Sequence, residues 1–211
     1  MHLKSILTCV TAMVAWAALV LQLGLTIGSM TADGTSVAAA IWRYFGFFTI
    51  LTNCAVAVVA TAMTSRPQSV LASPLARFVT VTSIVFVGIV YSATLRSIWE
   101  PTGWQAVADH ALHDATPVLF FLTWAWNEHG SLRWKDAFWA LLPPLAYCAY
   151  AFARGAFDGL YAYWFLDPKA LTLTQLAGNI AALLAAFLCL AFSVIAIDRS
   201  LARRTEVQDS K

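Results

Sequence analysis

The sequence predicts an all-α polytopic membrane protein: one bundle of six transmembrane helices with both termini in the cytoplasm. Three observations carry this expectation. Of 211 residues, 60% are hydrophobic and only 11% charged, and a mean hydropathy of +0.71 exceeds what a soluble domain of this length carries. The apolar residues fall into six runs, each about as long as a helix needs to cross a bilayer. Lysine and arginine gather at alternate ends of those runs. Nine (Lys4, Arg66, Arg77, Arg133, Lys135, Arg199, Arg203, Arg204, Lys211) stand on the side of both termini, against four (Arg43, Arg96, Arg154, Lys169) opposite, and the richer side is cytoplasmic.

The expected spans cover about residues 5–29, 42–64, 77–97, 105–126, 134–156 and 171–197. The first follows a short charged start and is longer than the apolar core of a signal peptide, so it reads as a span. Asp33-Gly34 signals a turn before the second. A loop from Ser65 to Pro74 leads into the third, and Trp99-Glu100-Pro101-Thr102-Gly103-Trp104 closes it. Asn127-Glu128-His129-Gly130-Ser131 ends the fourth. Pro143-Pro144 removes two backbone donors inside the fifth and predicts a kink there. An aromatic loop, Gly159 to Pro168, precedes the sixth, and the polar tail from Asp198 to Lys211 predicts fraying. With no repeat, linker or low-complexity tract, residues 1–211 read as a single domain.

A net charge of +2 without a basic run argues against a nucleic-acid partner, since phosphate neutralisation needs clustered cations. Cys9, Cys54, Cys148 and Cys189 each lie inside an apolar segment and read as small core residues, neither a disulfide framework nor a metal cluster.

Ionisable residues are costly inside a membrane and are therefore usually functional or paired. The stretch Asp109-His110-Ala111-Leu112-His113-Asp114, at the mouth of the fourth span, holds four of them. Helical spacing puts Asp109 one turn from His113, and His110 one turn from Asp114. At about 1.5 Å per residue, His113 lies about 12 Å and Thr49 about 10 Å from the outer face, in the fourth and second spans. Gln22, Tyr91, Tyr147, Tyr150, Gln175 and Asn179 fall in the same layer, within roughly 6–14 Å. Thr49, Thr52 and Asn53 form one stripe, and Arg154 caps another near the rim. This layer reads as a cavity open to the outer side; the plainer reading is hydrogen-bonded glue between helices. Trp99, Trp104, Tyr161, Tyr163 and Trp164 read as interface anchors.

A threonine hydroxyl is a weak nucleophile that must pass its proton to a nearby base, and histidine titrates in the right range. If Thr49 and His113 face one another they form such a pair. Asp109 is placed to orient the imidazole, and Asn53 or Tyr147 to stabilise an oxyanion. His110, Tyr91, Tyr150, Arg154, Gln175 and Asn179 are the candidate substrate contacts. An amphiphilic ester with its tail in lipid suits chemistry at this depth. No cofactor is implied. A metal site on His110, His113 and a carboxylate is a rival, but histidines three apart, without a third histidine or cysteine, match no strong zinc signature. Two further readings stay open. One is a lipid-binding or transport protein in which Arg154 or Arg43 pairs with an anionic head; the other is an acyltransferase using the same threonine.

Three blocks resemble the androgen-induced-gene family of six-span membrane lipid-ester hydrolases. Phe47-Phe48-Thr49-Ile50-Leu51-Thr52-Asn53 is similar to its aromatic, apolar, threonine block near the start of the second span. Asp109-His110-Ala111-Leu112-His113 is similar to its Asn-His-Gly-Met-His block, and the Phe-Leu-acid end of Tyr161-Ala162-Tyr163-Trp164-Phe165-Leu166-Asp167 to its Tyr-Pro-Phe-Leu-Glu block. The loops are short, as in bacterial members, which implies the inner (plasma) membrane. The resemblance implies hydrolysis of esters between a fatty acid and a hydroxy fatty acid, with Thr49 as nucleophile and His113 as base. Asp109 in place of a neutral Asn, Asp114 and Pro117 after His113, and Ala162 and Trp164 in the aromatic block depart from the family's pattern.

Overall fold

The computed structural model describes residues 3–209. Lys211, one of the nine cations on the terminal side, lies outside the described residues, as does the start of the short charged leader at Met1. The described residues are helical, without a strand: α1 (Leu3–Ala32), α2 (Val37–Tyr44), α3 (Phe48–Ser65), α4 (Pro74–Val90), α5 (Gly103–His110), α6 (Thr116–Ala125), α7 (Leu142–Asp158) and α8 (Leu173–Asp209). Helical turns of other pitch join them. Those at Tyr91–Leu95 and Ala111–Ala115 are π turns, and a 3-10 segment runs over Trp134–Leu141.

Four helical stretches are long and apolar enough to cross a membrane: Leu3–Ala32, Phe48–Ser65, Pro74–Leu95 and Leu173–Arg203. The stretches 103–125 and 134–158 are helical over similar lengths. Asp109, His110, His113 and Asp114 make the former less apolar.

Small residues set the closest packing. Ala12, Ala15 and Ala18 of α1 face a core with Val56, Ala57 and Ala60 of α3, and small side chains let membrane helices approach. Phe78, Ile84, Phe120, Phe187 and Ile195 fill the centre without exposure. Polar groups tie the helices laterally: the Thr11 and Thr123 hydroxyls meet at 2.7 Å, and Tyr44 Oη donates to the Leu19 carbonyl at 2.9 Å.

Three expectations about single elements are corrected. The second span does not begin at Trp42 as one helix. The chain ends α2, turns through Phe45-Gly46-Phe47 and restarts at Phe48. A Cβ on Gly46 would lie 2.9 Å from the Arg43 carbonyl oxygen and 3.2 Å from Arg154 Nη1, so the break needs a residue without a side chain. Pro143 and Pro144 do not kink a helix midway. They occupy the first turn of α7, where a missing N–H costs nothing, and the irregularity moves into the preceding 3-10 segment. Asp198 does not open a frayed tail. It is buried, pairs with His129 Nδ1 at 2.9 Å and accepts the Gly130 N–H at 3.0 Å, while α8 continues to Asp209.

Candidate functional site

The restart of the chain at Phe48 decides how Thr49 is presented. Phe47 is extended (φ −98°, ψ 133°) and caps α3, so Thr49 is the second residue of the helix and its N–H has no carbonyl one turn back. Tyr163 Oη takes that N–H at 3.4 Å and lies 3.4 Å from Thr49 Oγ1 as well. The stripe below is spent on backbone. Thr52 Oγ1 donates to the Phe48 and Thr49 carbonyls at 3.0 Å each, and Asn53 Nδ2 to the Thr49 carbonyl at 2.8 Å.

The other half of the site rests on a π turn. Thr116 N–H reaches back five residues to the Ala111 carbonyl, and Pro117 has no N–H to offer. The Leu112 carbonyl is thereby left without either backbone donor, and Asn53 Nδ2 reaches it at 3.3 Å from α3. His113 sits inside this turn. Its Nδ1 is 3.0 Å from the Asp109 carbonyl oxygen and 3.3 Å from Asp109 Oδ1. Tyr91 Oη donates to Asp109 Oδ2 at 2.5 Å, and the Tyr91 ring stacks on the imidazole at 3.9 Å and 13°. Tyr91 itself opens the second π turn, closed by Arg96 N–H on the Tyr91 carbonyl at 2.9 Å. Such turns re-aim side chains and recur at functional sites. Two acceptors facing Nδ1 favour the tautomer that donates from it, and Nε2 makes no hydrogen bond among the described residues.

The two histidines diverge. His110 Nδ1 pairs with Asp114 at 2.7 Å and Asp114 pairs with Arg96, in an exposed cluster on the outside of the bundle. His113 borders, with Asp114, an open groove between α4 and α6, but it and Asp109 are the more buried pair. They line a cavity of about 560 Å³ together with Thr49, Tyr91, Tyr163, Gln22, Gln105 and Arg43. Gln105 Nε2 donates to Gln22 Oε1 at 2.8 Å across it. Thr49, Tyr91 and Tyr163 also border a narrower apolar slot of about 70 Å³, walled by Val87 of α4, Pro144 and Cys148 of α7, and Leu183 and Leu184 of α8. Thr49 therefore stands where a partly polar chamber meets a hydrocarbon-lined one. Arg43 makes no ion pair among the described residues; its guanidinium lies 5.3 Å from the centre of the Phe47 ring.

Comparison with protein-family models, with curated proteins and with solved structures finds no match. The site's geometry is therefore the basis for a functional reading.

Thr49 and His113 share a cavity wall, but no hydrogen bond joins them; the hydroxyl's partner is Tyr163. The depth assigned to Thr49 from a start at Trp42 does not hold, because α3 begins at Phe48. Asn53 and Tyr147 do not face the cavity as free donors: Asn53 Nδ2 serves two carbonyls, and Tyr147 Oη donates to the Gly46 carbonyl at 2.9 Å. Tyr150 Oη binds the Phe45 carbonyl at 3.1 Å. Arg154 donates to Tyr150 Oη at 2.9 Å and the Trp42 carbonyl at 2.5 Å, and stacks 4.0 Å from the Trp42 ring. It is a tie between α7 and α2. Gln175 Oε1 accepts the Thr172 N–H at 2.9 Å at the start of α8, and Asn179 Nδ2 holds the Phe165 carbonyl at 3.0 Å. Of the expected substrate contacts, Tyr91 alone lines the cavity.

Sequence reasoning missed Tyr163 and Gln105 and assigned Tyr163 to the interface. An aromatic loop before the last span carries both possibilities equally. The fold of residues 159–170 back over α3 is what selects between them.

Proposed function

We propose that this protein is an integral membrane hydrolase of lipid esters, crossing the plasma membrane six times with both termini cytoplasmic. Thr49 is its nucleophile and His113 its general base. One observation carries the reading: Thr49 and His113, the imidazole anchored through Nδ1, line one cavity, and Thr49 also borders an apolar slot. The slot's apolar walls suit the first few carbons of an acyl chain and the chamber the polar half of an amphiphile, such as an ester between a fatty acid and a hydroxy fatty acid.

In the reaction, Thr49 Oγ1 turns from Tyr163 towards His113, directly or through one water, and gives its proton to Nε2. The alkoxide attacks the acyl carbon, and His113 returns the proton to the departing alcohol. Water then releases the acyl group from Thr49 by the same route in reverse. Asp109, held by Tyr91, fixes the imidazole and stabilises its charged form.

The test uses the purified protein in detergent with an esterified fluorogenic acyl substrate. Thr49→Ala and His113→Ala are each expected to abolish turnover while retaining helical content, and a fluorophosphonate is expected to label Thr49. Full activity in either variant removes the proposal. Arg43 favours a second reading, a non-catalytic lipid carrier, since an arginine on the chamber wall with no ion pair among the described residues suits an anionic head. That reading expects wild-type protein to bind a fluorescent fatty acid, Arg43→Ala to lose it, and neither to cleave an ester.

A further inference from the structure

Acyl transfer by Thr49 needs donors aimed at the oxygen on which negative charge develops. The two side chains expected to serve, Asn53 and Tyr147, have their donors on backbone carbonyls. Tyr163 is placed differently. Its Oη is the atom nearest both Thr49 N and Thr49 Oγ1 among their side-chain hydrogen-bond partners, at 3.4 Å from each. Because the Thr49 N–H donates to this oxygen, the phenolic proton is free to point elsewhere. The ring is fixed by a stack on Phe165 (5.2 Å, 9°) and by edge contacts with Phe47 at 6.1 Å and Tyr147 at 6.0 Å. Both the hydroxyl-bearing residue and the nucleophile line the chamber and the slot, so an ester carbonyl that meets Oγ1 also meets this phenol.

We propose that Tyr163 is a catalytic residue of the reaction, its O–H and the Thr49 N–H together forming the oxyanion hole. This rests on the hydrolase reading above. As the Oγ1–carbon bond forms, the carbonyl π electrons move onto its oxygen, which displaces Tyr163 Oη from the Thr49 amide and accepts both donors. As that oxygen re-forms its double bond, the ester C–O bond breaks and the alcohol leaves with the proton from His113. Tyr163 lends its proton without giving it up. Burial pushes the phenol above the usual tyrosine range, which keeps it a donor throughout neutral and mildly alkaline pH.

Tyr163→Phe tests this because it keeps the ring and its stack. The expected result is a fall in kcat of about 10²–10³-fold with KM little changed. A long-chain trifluoromethyl ketone, which forms a tetrahedral oxyanion on the nucleophile, should bind more weakly by a similar factor. An ether analogue of equal chain length, which has no carbonyl, should bind as it does to wild type. Wild-type kcat and ketone affinity in Tyr163→Phe overturn the proposal, and so does an equal loss for ketone and ether, the mark of a packing role. If wild type cleaves no ester and binds the ketone no better than Thr49→Ala does, the hydrolase reading itself falls and takes this one with it.

Discussion

Removing one oxygen from Tyr91 separates the two ways it supports His113. Tyr91→Phe keeps the ring that stacks on the imidazole at 3.9 Å and deletes the hydroxyl that donates to Asp109 Oδ2 at 2.5 Å. The Asp109 side chain is only 5% exposed, so water cannot readily replace the lost donor. A hydrogen bond to a charged group contributes about 1.5–3 kcal/mol. If half or more of that is needed to hold Asp109 against Nδ1 in the transition state, kcat falls by roughly 3- to 140-fold, at about 1.4 kcal/mol per tenfold. The assay is ester turnover beside thermal unfolding in the same detergent. Tyr91→Phe is expected to lower both, and Tyr91→Leu, which also loses the stack, to lower kcat further. Wild-type kcat and melting temperature in Tyr91→Phe would refute the idea that this phenol braces the base.

Gly155→Ala places a methyl group 2.2 Å from the Tyr161 ring. Overpacking of this kind costs about 1–3 kcal/mol, and because Tyr161 and Tyr163 share a loop, turnover should fall more than the melting temperature implies. The Asp158 carboxylate is held below its usual range by the Trp42 indole N–H at 2.6 Å and the Leu160 N–H at 2.8 Å. A depressed folded-state value gives stability that is present above the ordinary aspartate range and lost as pH falls through the depressed value. The α2–α7 tie should thus persist from neutral pH to about pH 4 and loosen below it, read as a fluorescence change absent in Trp42→Phe.

The Asp109 to Asp114 stretch shows how far spacing reaches. Both one-turn pairings expected from it are present, Asp109 with His113 and His110 with Asp114, because helical neighbours depend only on local geometry. Which pair faces inward was not legible. That depends on a π turn, and the turn depends on Pro117 and on the reach of Asn53 from another helix. Gln175 and Asn179 were placed in the polar layer by depth alone. Depth gives no rotation about the helix axis; Gln175 caps the start of α8 and Asn179 holds the Phe165 carbonyl of the preceding loop instead.

The sequence by itself determined that the chain is helical and apolar enough for a membrane, because composition and run length act through solvent transfer and need no partner. It also marked Asp109 and His113, since ionisable groups in hydrocarbon stand out residue by residue, whereas Thr49 rested on a depth estimate and on the family resemblance. Only the tertiary structure decided that the chain breaks at Gly46, which turns the Thr49 amide free, and that Tyr163 folds back to meet it. Those depend on contacts between residues more than a hundred positions apart, and no local rule of spacing encodes them.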